Sequence, residues 1–171
     1  YLPIDQPALI LVNYKNLDAL DFNIHKVSLR QLKRFNRIYN ASERQKFISK
    51  LKTYKTYSSS LKNESDYQNH GTELILPNLE NGLYIVVAKT NTSVFATTDI
   101  QVTDLAMVQT QENEQIIYQI IDRNNGKPIA NAKAELKYRT NRNYDRELSK
   151  KFTTDQHGKF YFKKNNNRYN S

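Results

Sequence analysis

The chain has 171 residues, of which 38% are hydrophobic, and it carries 26 Lys or Arg against 17 Asp or Glu. It contains no cysteine, which excludes disulfides, thiolate metal sites and a cysteine nucleophile. No apolar run approaches the ~18 residues of a membrane helix, and no signal peptide is visible. The three histidines, His25, His70 and His157, lie far apart, which argues against a metal site. Because the first residue is Tyr1 rather than Met, we expect a processed or excised fragment.

Strand patterns dominate the first hundred residues. The continuous apolar run over residues 8–14 predicts a strand that is buried on both faces or lies in the middle of a sheet. The next strand alternates, which places Leu20, Phe22 and Ile24 on one side of it. Further strands are predicted at residues 72–79, 83–90 and 94–102. Five or six strands in this half are enough for a sandwich core.

A segment at residues 28–62 has a different period. Apolar residues recur there at helical spacing, and Ser28 is placed to cap a first short helix. A second short helix follows, with Ser42 as its predicted N-cap. The Ser-rich stretch at residues 58–65 predicts an exposed loop. We therefore expect a helical insertion within the strands of the first half.

A domain boundary is predicted at Thr103–Asp104, after which strand patterns resume. Residues 139–150 are polar and charged, and predict a loop or hairpin tip. Four strands are predicted beyond the boundary, which is few for a sandwich, so we expect this half to be incomplete. They lie within residues 105–110, 116–122 and 129–138 and in a last hairpin over 151–162. The predicted turn residues are Asn125, Gly126, Pro128, Asp155 and Gly158.

Two blocks of sequence resemble bacterial α2-macroglobulins. The stretch DYQNHGTELILPNLENGLYIVVA resembles the macroglobulin-like domains near the N-terminus of that family, especially in the large proteins of Bacteroidetes. In the family, D-Y-x-x-H precedes a strand and L-P-x-L-x-x-G-x-Y follows. The matching residues are Asp66, Tyr67, His70, Leu76, Pro77, Leu79, Gly82 and Tyr84. The stretch IIDRNNGKPIANAKAEL with the later TTDQHGKF resembles the start of the next domain, although carboxypeptidase regulatory domains share that pattern.

The resemblance implies an all-β fold of two tandem immunoglobulin-like, macroglobulin-type sandwiches. The first would span residues 1–103 and include the insertion at 28–62, and the second would span 104–171 and be incomplete. The implied function is a non-catalytic structural segment of a protease-trapping inhibitor in the periplasm or cell envelope. Proteases would be met through the full-length parent, and neighbouring domains would contact this segment. That family's thioester motif needs a cysteine, so this chain cannot contain it.

The alternative function is a cell-surface adhesion module of the carboxypeptidase-regulatory type, which binds carbohydrate or protein. An enzyme is not predicted, and neither is any catalytic, cofactor-binding or metal-ligating residue. Ser58, Ser59 and Ser60 lack the G-x-S-x-G context of a nucleophile. The chain has only four glycines and no glycine-rich phosphate loop.

Two groups of polar residues could nevertheless carry chemistry. Asp122, beside Arg123, and Asp155 would suit a general acid–base pair, but both lie in turn sequences, and the turn role is favoured. Asp66, Tyr67 and His70 could form a polar relay. The favoured interpretation of this second group is a loop that enters a strand, with the tyrosine ring packed.

Positive charge is concentrated at the insertion. Residues 26–62 hold eleven Lys or Arg and one acid, Glu43, a net charge of +10, whereas the other residues sum to −1. Aromatic residues are interleaved with these charges, as on surfaces that bind nucleic acid. A second possibility is an anionic lipid or polysaccharide surface. The helical spacing of the aromatics favours a third, a solvated insertion whose rings pack on the sandwich, so nucleic acid is not the expected partner.

Overall fold

The computed structural model of the chain describes residues 1–90, 95–140 and 143–163. The chain divides into two compact units, residues 1–103 and 104–171. The predicted all-β class is confirmed, since strands dominate both units. The first unit contains β1 (Ala8–Tyr14), β2 (Ala19–Val27), α1 (Leu29–Phe35), α2 (Ala41–Ile48), β3 (Lys55–Ser60), β4 (His70–Leu76), β5 (Gly82–Lys89) and β6 (Phe95–Val102). The second contains β7 (Leu105–Glu112), β8 (Gln115–Asp122), β9 (Lys133–Thr140), β10 (Asn143–Thr153) and β11 (Lys159–Lys163).

The first unit is a sandwich of two antiparallel sheets. One sheet has four strands in the order β3-β2-β5-β6, and the other pairs β1 with β4. Leu20, Phe22 and Ile24 lie together on the inner face of β2, as their alternation predicts. The buried cluster between the sheets contains Leu20, Phe22, Ile24, Leu74, Leu79, Tyr84, Val86 and Val102.

Helices cover the opposite face of the four-stranded sheet. A second buried cluster joins them to it, formed by Val27, Leu32, Phe35, Ile48, Ile85 and Val87. Strand β5 therefore has a packed layer on each face. Its consecutive residues Tyr84, Ile85, Val86 and Val87 are each at most 2% exposed. Burial on both sides explains why β5 is a continuous apolar run rather than an alternating one.

The same expectation for β1 is wrong. Leu9 is 54% exposed and Leu11 is 68% exposed, although the run looks fully apolar. The reason is that β1 pairs only with β4, and only one face of this two-stranded sheet packs on the core.

The two helices begin at polar caps. Ser28 caps α1 as predicted, and its side chain accepts a hydrogen bond from the Gln31 N–H while the Gln31 side chain accepts one from the Ser28 N–H. The Ser42 cap predicted for α2 is wrong, because the Asn40 side chain accepts the Glu43 N–H at 3.2 Å and the helix begins at Ala41. Asparagine and serine are comparably good N-cap residues. The extended backbone of Asn40 therefore decides that α2 begins after this residue.

The predicted exposed loop at residues 58–65 is also wrong in its first part. Ser58, Ser59 and Ser60 belong to β3, which pairs with β2 along Ala19–Ile24. The Tyr57 ring stacks on Phe22 at a centroid distance of 4.5 Å. This packing holds the serine-rich stretch in the sheet rather than in a loop.

The second unit joins a three-stranded sheet, β11-β8-β7, to the hairpin of β9 and β10. Aromatic rings fill the space between these two layers. Phe152 of β10 stacks on Phe160 of β11 at 4.8 Å, and Tyr138 of β9 lies 4.9 Å from Phe162. On the inner side of β11, Phe160 also stacks on Tyr118 of β8 at 5.0 Å. Stacked and tilted rings at these distances are favourable aromatic pairs.

Three expectations for this unit need correction. It has five strands in the described residues rather than four, and residues 143–150, predicted as loop, belong to β10; the tip at 141–142 lies outside the described residues. The predicted hairpin over residues 151–162 is wrong, because β10 pairs with β9 whereas β11 pairs with β8. The segment crosses between the two layers, since Phe152 and Phe160 face each other across them.

Candidate functional site

Apolar and aromatic residues of the first sequence block, DYQNHGTELILPNLENGLYIVVA, lie in the core of the first unit. Leu76, Leu79 and Tyr84 are at most 3% exposed, and Leu79 and Tyr84 belong to the buried cluster between the two sheets. The Tyr84 hydroxyl donates a hydrogen bond to the Glu80 carbonyl at 2.9 Å. The Glu80 carboxylate binds the Lys26 ammonium at 3.0 Å, which raises the pKa of that lysine. The motif therefore builds a tight connection between strands.

Asp66 and His70, from the same block, form a hydrogen-bonded pair. The His70 Nε2 and Asp66 Oδ1 atoms are 2.9 Å apart, and Oδ1 also accepts the Gln68 N–H at 2.9 Å. The bond from His70 lowers the pKa of the Asp66 carboxyl, and the Gln68 N–H adds to the effect. Tyr67 does not complete a relay and its ring is not packed, because it is 73% exposed. The pair closes the loop that enters β4.

Asp122 accepts the Asn124 N–H at 2.8 Å, within a turn where Gly126 has a φ of 71°. This is the backbone role that an aspartate plays in a tight turn. The turn prediction for Asp122 is therefore confirmed.

Asp155 organises the crossing between β10 and β11. Its Oδ1 atom accepts the N–H groups of His157 at 2.8 Å and Lys159 at 2.9 Å. These two bonds, the one from Lys159 foremost, hold the pKa of the Asp155 carboxyl below its ordinary value. Its oxygens thus bind backbone groups within its own turn, as predicted.

The sequence patterns did not indicate that the His25 ring and the Tyr57 hydroxyl are buried. His25 is 3% exposed, its Nδ1–H donates to the Lys52 carbonyl at 3.2 Å, and its Nε2 has no hydrogen-bond partner in the described part of the chain. The Tyr57 hydroxyl is also buried with no hydrogen-bond partner among the described residues, and burial raises the pKa of this tyrosine to about 12. His25 lies on the polar side of β2, and the alternating pattern of that strand did not indicate that this side would be covered. Tyr57 belongs to β3 and packs against the buried cluster between the two sheets.

A cationic groove, defined by Arg30, Lys33, Arg34, Arg37, Lys46 and Lys50, is the main surface feature of the helices. It comprises two adjoining depressions of about 640 Å³ and 780 Å³, which share the Arg30, Arg34 and Ile38 side chains. Glu43 is the one acid that lines them. The predicted concentration of positive charge thus becomes a concave surface.

Two aromatic rings of the helices, those of Phe35 and Phe47, already contact arginines. Phe35 is 2% exposed, and the Arg44 guanidinium lies 5.0 Å from the centre of its ring. The Arg34 guanidinium lies 5.7 Å from the centre of the Phe47 ring. These rings pack as the helical spacing predicts, and each holds an arginine in a cation–π contact.

Among the residues that the structure describes, no group of three or more His, Cys, Asp or Glu side chains could hold a metal ion. In the same residues, no helix is both long and apolar enough to cross a membrane. No cofactor site is assigned to any side chain described above.

Neither a family model nor a curated protein sequence matches the chain. Its fold is similar to native alpha-2-macroglobulin from Escherichia coli over domains MG0-NIE-MG1, with a TM-score of 0.63 and 15% identity. This match covers 92% of the chain and 52% of that structure, so the chain spans about half its length.

Two further structures of the same Escherichia coli protein are similar. The structure that spans domains NIE-MG1 has a TM-score of 0.60 and 16% identity, with 92% of this chain and 79% of that one covered. The cryo-EM reconstruction of the native conformation has a TM-score of 0.51 and 17% identity, with 92% of this chain and 10% of that one covered. The chain therefore has the immunoglobulin-like sandwich fold of these α2-macroglobulin domains.

Proposed function

We propose that the chain is a non-catalytic structural segment of a bacterial α2-macroglobulin-like protein. The observation that carries this proposal is the similarity of fold over 92% of the chain, at a TM-score of 0.63. Because the first unit has 103 residues, a match over 92% of the chain extends into both units. The turn roles of Asp122 and Asp155 support a structural part, because their Oδ1 oxygens bind backbone groups.

The two units would be consecutive domains of the parent. Residues 1–103 would form one sandwich with the helical insertion, and residues 104–171 would belong to a second macroglobulin-type domain. The share of each solved structure that is covered, 79% for NIE-MG1 against 52% for MG0-NIE-MG1, favours correspondence with the NIE and MG1 part.

The parent would trap proteases in the periplasm or cell envelope, and its proteases would be partners of the whole molecule rather than of this segment. The sequence block around Asp66 favours a parent of the Bacteroidetes type. Within such a parent, the sandwiches would hold the trap in its open form until a protease cuts it.

The experiment that tests the proposal measures the size of the native protein. An antibody against the chain, with antibody pre-absorbed on the pure chain as control, is used on an immunoblot of the envelope fraction of the source cells. We expect a band many times larger than 20.1 kDa. When an added endopeptidase is present, we expect that band to shift its native mobility and to carry the protease with it.

A band near 20.1 kDa would overturn the proposal and favour the cell-surface adhesion module instead. A large band that neither shifts nor retains protease would keep the segment as scaffold but remove the trapping function.

A further inference from the structure

We propose that the cationic groove between α1 and α2 is a docking site for an anionic lipid surface, with lipid phosphates as the groups that it binds. This inference is independent of the proposed function, since it concerns a surface of the first unit alone.

None of the groove cations forms an ion pair within residues 1–90, 95–140 and 143–163. The ion pairs found in the described part of the chain are Lys26–Glu80, Lys62–Glu64 and Asp66–His70, and none includes a groove residue. Along α1, Arg30 and Arg34 stand four residues apart, where like charges repel each other. Bound phosphates would relieve this repulsion, and the side chains already lie in place around two depressions.

Exposed apolar side chains accompany the charge. Leu29, which lines the second depression, is 55% exposed, and Tyr39 between the helices is 91% exposed. A membrane interface offers headgroup phosphates for Arg and Lys, and a boundary region that favours Tyr and Leu. The combination of both kinds of side chain on one helical pair fits that chemistry.

A single-stranded nucleic acid fits the same surface less well. Its affinity depends on bases stacked on free aromatic rings. Phe35 is buried and Phe47 packs against the Arg34 guanidinium, which leaves Tyr39, in the link between α1 and α2, as the exposed ring of residues 28–62. The observations therefore favour a lipid surface over a stacked nucleic acid.

The test is co-sedimentation of the 171-residue chain with vesicles. Vesicles of phosphatidylcholine with about one third phosphatidylglycerol are compared with vesicles of phosphatidylcholine alone, at low and high salt. We expect sedimentation with the anionic vesicles at low salt, and a loss of about tenfold or more at high salt.

Two variants locate the site. The triple variant Arg30→Glu, Arg34→Glu and Lys50→Glu is expected to lose vesicle binding. Its matched control, Lys127→Glu, Lys133→Glu and Lys151→Glu, makes the same change of charge on exposed residues of the second unit and is expected to keep most of it. Circular dichroism checks that both variants are folded.

A third variant tests the contribution of the exposed apolar side chains. Leu29→Ser with Tyr39→Ser is expected to weaken vesicle binding several-fold while leaving the groove charges unchanged. A single-stranded oligonucleotide and a DNA duplex are tested beside the vesicles. Failure to sediment with anionic vesicles, equal loss in the control variant, or oligonucleotide binding that exceeds vesicle binding would each overturn the proposal.

Discussion

Gly158 lies in a turn where no side chain fits. Its φ is 69°, and an added Cβ would lie 2.5 Å from the Ile120 carbonyl oxygen. Gly126 has a φ of 71°, yet a Cβ there meets nothing within 4 Å. The two turns thus share a backbone strain and differ in space, which makes one the control for the other.

We expect Gly158→Ala to lower the free energy of unfolding by about 3 kcal/mol, because strain and a backbone clash combine. We expect Gly126→Ala to lower it by about 1 kcal/mol, from the strain alone. Urea denaturation measures both. Equal losses would show that the close approach at Gly158 relaxes without cost.

Loss of the hydroxyl group is expected to affect stability in opposite directions at Tyr57 and at Tyr84. The Tyr57 hydroxyl is buried without a partner, whereas the Tyr84 hydroxyl donates to the Glu80 carbonyl. We expect Tyr57→Phe to leave stability unchanged or raise it by about 1 kcal/mol, and Tyr84→Phe to lower it by about 1 kcal/mol. A large loss in the Tyr57 variant, measured by urea denaturation, would mean that its hydroxyl has a partner in solution.

His25 makes stability depend on pH. Burial lowers its pKa below the ordinary 6.5, the hydrogen bond to Lys52 acts in the opposite direction, and the charge of Lys89 lowers it further. The unfolded chain therefore binds this proton more readily than the folded one, so stability is full above about pH 6.5 and falls as pH drops below it.

We expect the urea midpoint to fall between pH 7.5 and pH 5, and His25→Gln to reduce that fall. A variant that keeps the whole fall would assign the acid sensitivity to other groups.

At the scale of elements, the N-terminus of α2 has two candidate cap residues, Asn40 and Ser42. Asn40 caps it, and Ser42 lies inside its first turn. We expect Asn40→Ala to lower the free energy of unfolding by about 1 kcal/mol, because the Glu43 N–H loses its acceptor. Ser42→Ala is expected to change it by less than about 0.5 kcal/mol. The reverse order of the two losses in urea denaturation would restore the cap predicted from sequence.

The elements that the sequence predicted well are those with strong local signals. Ser28 with Gln31 makes a capping box, and the alternation of β2 sets its inward face. The missed elements depend on contacts between distant residues. β3 forms because Tyr57 stacks on Phe22, and the hairpin predicted over residues 151–162 becomes a crossing because Phe152 and Phe160 meet between layers.

At the scale of the molecule, the first unit closes on itself. Leu2 bridges Val102, and the Thr103 N–H donates to the Leu2 carbonyl at 2.9 Å. Both of its buried clusters lie wholly within residues 1–103. We expect a fragment of these residues to fold alone and to unfold in one cooperative transition. Circular dichroism during heating measures it, and a fragment without such a transition would show that residues 104–171 are needed.

The candidate surface was predictable in its charge and not in its shape. The excess of Lys and Arg at residues 26–62 can be counted in the sequence. The packing of α1 and α2 on the sheet decides which of these side chains lie close together. It places the Arg34 guanidinium over the Phe47 ring and the Arg44 guanidinium over the Phe35 ring. The burial of His25 under the same layer has no counterpart in the local pattern.

By itself, the sequence determined the all-β class, the Ser28 cap, the turn roles of Asp122 and Asp155, the absence of cysteine chemistry and the concentration of positive charge. Only the tertiary structure decided which apolar runs are buried. The runs of β1 and β5 look alike, yet Leu11 is 68% exposed and Ile85 is 0% exposed. The physical reason is that burial depends on the layers on both sides of a strand, and those layers come from residues far away in the chain.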